Sequence, residues 1–221
     1  MCGRYLMDDE VYADMLAMLA SDIGVATPSL NSPLSALNSP LSTLHSPLST
    51  LARGEVFPTN IAPVISRDGP MAIKWGFPQW KGAGVIINAR AETAAEKNMF
   101  RKPLLERRCI VPSSGFYEWR HVGGQNSRSA GQKKKEKFLL RIPGERFLFM
   151  AGIINIFKGA DGNDYSAFVI LTTTANESVA PIHDRMPVIL APYERDRWLR
   201  DSTFMESALH RAGPALALEI Q

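Results

Sequence analysis

From Val56 onward the chain is a succession of short apolar or alternating runs. They read "APVIS", "MAIKWGF", "GVIINA", "CIVPSSGFYEW", "FLLRI", "RFLFMAGII", "AFVILTT" and "PVILA", with Gly, Pro or Asn between most of them. Runs of that length bounded by turn formers predict strands. Helical spacing shows first over residues 9–20, where Val11, Met15, Met18 and Leu19 share a face and Asp8 is placed to cap it. Similar patterns predict helices over 95–105, 177–182 and 193–199. Strands outnumber helices and do not alternate with them. The predicted class is therefore α+β: one compact sheet-rich domain over 1–221, mixed or antiparallel and barrel-like, with peripheral helices.

One stretch fits neither pattern. In "LNSPLSALNSPLSTLHSPLST" a seven-residue unit occurs three times from Leu30 to Thr50. A heptad invites a coiled coil, but a proline in every unit forbids a continuous helix. The segment 30–51 reads as an extended low-complexity insertion between a helix and the core.

Charge and cysteine content narrow the picture. A net charge of +3 does not by itself demand nucleic acid, and the basic stretch "GGQNSRSAGQKKKEK" reads as a loop that is either solvated or phosphate-contacting. No apolar run is long enough to span a bilayer and no signal peptide pattern opens the chain, so the expectation is an intracellular, cytoplasmic protein without a membrane. Two cysteines, Cys2 and Cys109, provide neither a disulfide framework nor a metal-binding spacing. Cys109 lies in an apolar run and reads as core; neither metal nor cofactor is expected.

Cys2 raises a different question. Removal of Met1 leaves a cysteine with a free α-amine, of pKa about 7.7–8.0, beside a thiol of pKa about 8.5. Such a 1,2-aminothiol carries two adjacent nucleophiles. Elsewhere, polar residues interrupt the apolar strands. Ile86, Asn88 and Arg90 alternate onto one face, Phe116 shares a face with Glu118, and His183 shares a side with Arg185. Each has a plainer reading: Asn88 as a strand-end cap, Glu118 as a solvated edge residue, His183 as a hydrogen-bonded structural histidine.

Taken with "MCGRY", the motifs "PTNIAPV", "WGF", "NARAET", "RCIVPSSGFYEW", "FMAGI", "LTTTAN" and "IHDRMPVIL" occur in an order that resembles the SOS response-associated peptidase family, whose members process abasic sites in DNA. The resemblance covers most of the chain outside the repeat. Two departures stand out: the repeat itself, and a C-terminus shorter than the family's usual end, which bears on the last strand.

The resemblance implies a covalent chemistry. The open-chain aldehyde of an abasic site would form an imine with the α-amine of Cys2, and the thiol would close a thiazolidine ring at high effective concentration. Cys2 is then the nucleophile, Glu118 and His183 move protons, and Asn88 holds the opened sugar and the Cys2 region. Arg4, Arg90 and Arg185 are expected to bind flanking phosphates, and Trp75 and Phe77 to stack on bases unless they are core. The implied partner is single-stranded DNA carrying an abasic site. The protein is read as a monomer, nucleoid-associated when on DNA, with replication-fork proteins as candidate partners. The activity would be a lyase-like crosslinking, with a peptidase or hydrolase activity recorded in the family name. An N-terminal-nucleophile amidohydrolase and a non-catalytic single-strand binder are the alternatives.

Overall fold

The computed structural model describes residues 2–22, 51–80, 82–122 and 134–221. The predicted repeat over 30–51 falls outside the described residues except for Leu51, which is buried against Ala72 and forms a bridge with Ile61.

The strands are β1 (Tyr5–Met7), β2 (Gly54–Val56), β3 (Ile61–Ser66), β4 (Gly69–Trp75), β5 (Phe77–Pro78), β6 (Val85–Ile86), β7 (Asn88–Arg90), β8 (Arg108–Ser113) and β9 (Gly115–Val122). They continue with β10 (Lys134–Arg141), β11 (Leu148–Lys158), β12 (Asp164–Thr174), β13 (Arg185–Pro187), β14 (Ile189–Leu190) and β15 (Ala217–Ile220). The helices are α1 (Asp9–Asp22), α2 (Ala91–Ala94), α3 (Asn98–Glu106), α4 (Arg195–Arg200) and α5 (Ser202–His210).

One sheet runs β15-β10-β9-β1-β2. The other runs β13-β12-β4-β3-β8-β11-β14, and an added pairing of β12 with β11 closes β12, β4, β3, β8 and β11 into a ring. All neighbours in that ring are antiparallel except β12 and β4, which are parallel. Closure removes the open edges of these five strands and encloses their inward face.

Alternation along the strands divides the core in two. Phe168 and Ile170 of β12 and Met150 and Ile154 of β11 join Tyr5, Met7, Phe116 and Leu140 of the five-stranded sheet. Their neighbours Ala167, Val169, Leu171, Phe149, Ala151 and Ile153 pack instead with α2 to α5, including Phe100, Leu104 and Trp198. The α+β expectation therefore holds, with helices outside and a barrel-like ring within.

The predicted helix over 9–20 is present as α1. The Asp8 carboxylate caps it, accepting from the Val11 amide at 3.0 Å, and Val11 and Met15 are buried. The helix predicted over 177–182 is absent; that stretch is a run of turns. Asn176 Oδ1 accepts from the amides of Ser178 and Val179, and Pro181 has no N–H with which to continue a helix. The shorter C-terminal sequence still supplies a strand, since β15 pairs with β10 from Phe138↔Ile220 to Arg141↔Ala217. Among the described residues no helix is long and apolar enough to cross a membrane.

Candidate active site at the seam of the two sheets

The N-terminal stretch is held by β1, which lies between β2 and β9. Tyr5 pairs with Phe116, and the Tyr117 amide donates to the Arg4 carbonyl at 2.9 Å, so the register continues beyond β1. That register carries Cys2 and Gly3 alongside Glu118. Cys2 is 0 % exposed, and its thiol points at the Arg4 carbonyl with Sγ 3.7 Å away.

The second half of the site hangs from the end of β12. Parallel pairing aligns Ile170 with Asn88 and Thr172 with Arg90, while antiparallel pairing sets Thr174 opposite Arg185. The Asn88 side-chain amide then reaches across the seam and donates to the Cys2 carbonyl at 2.9 Å. His183 sits in the turn before β13, where its Nδ1 accepts from the Arg185 amide at 3.0 Å and lies 2.9 Å from Asp184 Oδ1.

Electrostatics link these groups. Burial pushes the Cys2 thiol far above its ordinary range, and the nearby Glu118 charge pushes it further. Burial likewise raises the Glu118 carboxyl, while the positive charges of the amino terminus and of His183 pull the other way. Cys2, Asn88, Glu118 and His183, which the sequence scatters over most of the chain, thus share one locality. Glu118 is buried at 3 % exposure, not solvated at an edge.

The arginines are placed differently. Arg4 Nη1 donates to Glu55 at 2.8 Å, and its guanidinium lies over the rings of Phe57 and Trp119 at 4.3 and 5.0 Å. Arg185 is taken up by Glu92 through two bonds of 2.7 and 2.8 Å. Arg90 is exposed and lines a groove of about 500 Å³ with Ile86, Asn88, Thr93, Lys97 and Phe100. The alternation of Ile86, Asn88 and Arg90 onto one face is realised in that groove.

Trp75 and Phe77 require a correction. Both are 0 % exposed and neither can stack on a base. Trp75 packs between Tyr5 and Phe168 and donates from its indole nitrogen to the Ile87 carbonyl at 3.0 Å. Phe77 packs on Phe100 and Phe157. The cause is ring closure at β4, followed by Gly76, whose φ of +116° turns the chain while its amide still bonds the Phe168 carbonyl.

Sequence reasoning missed three residues. Trp80 is 91 % exposed between β5 and β6; its signal was an aromatic just past Pro78 in a turn-rich stretch. Thr172 is buried with its hydroxyl lacking a hydrogen-bond partner among the described residues, beside the strand that holds Asn88. Glu92 lies in the "NARAET" motif, but its partner is 93 positions away and nothing local points to it.

Comparison with known proteins identifies the family and the fold. The sequence profile of the family described as SOS response associated peptidase (SRAP) matches residues 1–219. The chain is 35 % identical over 178 residues to the abasic site processing protein YoqW of Bacillus subtilis, covering 72 % of this chain and 76 % of that one. It is 33 % identical over 206 residues to the abasic site processing protein YedK of Escherichia coli, covering 90 % and 80 %. A crystal structure of a Bacteroides thetaiotaomicron protein superposes with a TM-score of 0.73 at 25 % identity, over 99 % of this chain and 91 % of that one. The chain belongs to the SRAP family.

Proposed function

We propose that this chain captures abasic sites in single-stranded DNA by forming a covalent bond through Cys2. The observation that carries the reading is the Asn88 amide fixing the Cys2 carbonyl at 2.9 Å, with Glu118 and His183 gathered around the same residue. The relatives named above are abasic site processing proteins, which supplies the substrate class.

The sequence of events follows from the groups present. Hydrolysis of the Met1–Cys2 bond frees the α-amine. The amine adds to the sugar aldehyde and water leaves, giving an imine. The thiol then adds across the C=N bond: sulfur bonds to carbon, and the thiol proton ends on nitrogen. Glu118, with a raised pKa, exchanges protons in these steps, and His183 donates to the sugar oxygen. A thiol raised by burial is protonated near neutrality. Thiazolidine closure passes the thiol proton to the ring nitrogen, with Glu118 nearby to carry the transfer.

The strand would run along the groove of Asn88, Arg90, Thr93 and Lys97, with exposed Trp80 offering a stacking face. The test is incubation of the Met1-processed protein with a single-stranded oligonucleotide bearing one abasic site, followed by a denaturing gel. A heat-stable retarded band is expected, lost in Cys2→Ala. No band, or a band retained in Cys2→Ala, overturns the reading.

A further inference from the structure

Three bonds hold the Arg185 guanidinium. Nη1 and Nη2 donate to the two carboxylate oxygens of Glu92, and Nη2 donates also to the Thr172 carbonyl at 2.6 Å. The last bond ties the fork to β12 independently of Glu92, so the group keeps its place when the carboxylate leaves. The two partners are unequal in access: the Arg185 side chain is 12 % exposed and that of Glu92 is 39 %. Glu92 lies in the first turn of α2, between Arg90 and Thr93, both of which line the groove. A fork that binds a carboxylate through two parallel N–H···O bonds offers the same geometry to two oxygens of a phosphodiester.

We propose that Glu92 is a specificity-determining residue, whose carboxylate occupies the seat of a DNA phosphate on Arg185 and must be exchanged by an incoming strand. The inference rests on the DNA-capture reading above. Its consequence is selectivity. An intact strand must displace a bidentate carboxylate with nothing but reversible contacts to drive the exchange. A strand with an abasic site gains a covalent bond to Cys2, which drives the exchange to completion. Glu92 thereby penalises loitering on undamaged DNA and leaves capture of the lesion allowed.

The test compares wild type with Glu92→Gln, and with Glu96→Gln as a control for removing an exposed carboxylate of the same segment. Affinity for an intact oligothymidine is measured against salt. Glu92→Gln should bind about tenfold more tightly, with a log–log salt slope steeper by about 0.7, one phosphate's share on a single strand. Intact oligothymidine should also suppress crosslinking to an abasic strand at about tenfold lower concentration. In an Arg185→Ala background the gain should vanish. Glu92→Asp, which keeps the charge and shortens the reach, should show a smaller gain and carries the test if the amide variant does not fold. The proposal is overturned if Glu92→Gln gains no more than Glu96→Gln, if it binds more weakly, or if the gain survives without Arg185. Wild type that binds no single strand at any salt would instead sink the capture reading, and this one with it.

Discussion

The side-chain amide of Asn88 and the backbone carbonyl of Cys2, 86 positions apart in sequence, form a hydrogen bond of 2.9 Å across the seam of the two sheets. It fixes the residue that would react to the strand that frames the groove. The other polar atom of the amide, Asn88 Oδ1, is buried and has no hydrogen-bond partner among the described residues.

Replacing Asn88 by Ala should therefore slow crosslinking more than it destabilises the fold. A lost hydrogen bond of this kind contributes about 0.5–1.5 kcal/mol, or up to roughly tenfold in rate if it positions Cys2 only in the reacting state. Single-turnover rates and thermal midpoints measured side by side would check this. Equal losses in both would assign Asn88 to stability.

Glu118 has a pKa raised by burial, so the folded chain holds a proton that the unfolded chain releases. In the window from the ordinary glutamate value up to the raised one, stability falls as pH rises. Glu118→Gln should flatten that decline and make the protein relatively more stable at neutral pH, while slowing crosslinking by about 10²–10⁴-fold. Thermal midpoints of both proteins across pH 4–8, with about one reading per pH unit, would check the sign.

Cys2→Ser keeps a small second residue, so Met1 removal and the α-amine persist. The variant should give an imine that borohydride traps, but little heat-stable adduct without reductant, because a hydroxyl closes the ring far less readily than a thiol. A denaturing gel with and without borohydride distinguishes the two products. Heat-stable adduct at the native level would remove the thiol from the mechanism.

The two tryptophans flanking the "GFPQ" turn should separate cleanly. Trp75→Ala removes a buried ring between Tyr5 and Phe168 and should cost about 3–5 kcal/mol of stability. Trp80→Ala touches no core and should leave the thermal midpoint unchanged, while weakening single-strand binding by about 1–3 kcal/mol if one base stacks there. Denaturant melts and fluorescence titrations would read the two effects.

Excising residues 30–50 should leave crosslinking and thermal stability near wild type, because a proline in every unit forbids the helix that would gather its leucines on one face, and loop closure depends only weakly on length. Leu51 marks where the core resumes. It is 7 % exposed, and Leu51→Ala should cost about 2–5 kcal/mol. Calorimetry of both variants would show whether the boundary falls there.

Much of this was legible in the sequence, for identifiable reasons. The cap at Asp8, the face shared by Ile86, Asn88 and Arg90, and the inward side shared by Phe116 and Glu118 all follow from local periodicity, which the fold preserves. What local periodicity cannot carry is pairing between distant strands. The contact of β12 with β4 at Phe168↔Trp75 closes the ring and buries a tryptophan expected to face DNA. Pairing of β12 with both β7 and β13 likewise brings Glu92 to Arg185. At 177–182 apolar spacing suggested a helix, and the Asn176 side chain with Pro181 turned the backbone instead.

The place of β1 inside its sheet also sets a schedule. As the ribosome releases the chain, Cys2 emerges at the start, the outer neighbour β2 is complete at residue 56, and the inner neighbour β9 only at residue 122. At about 5–20 residues per second, that leaves the amino terminus without its full enclosure for about 6–24 s. Once β1 is seated, Cys2 is buried at the seam beside the groove that Asn88 lines. For the capture proposed above, Met1 removed within that interval would leave the aminothiol to be folded into the seam ready-made.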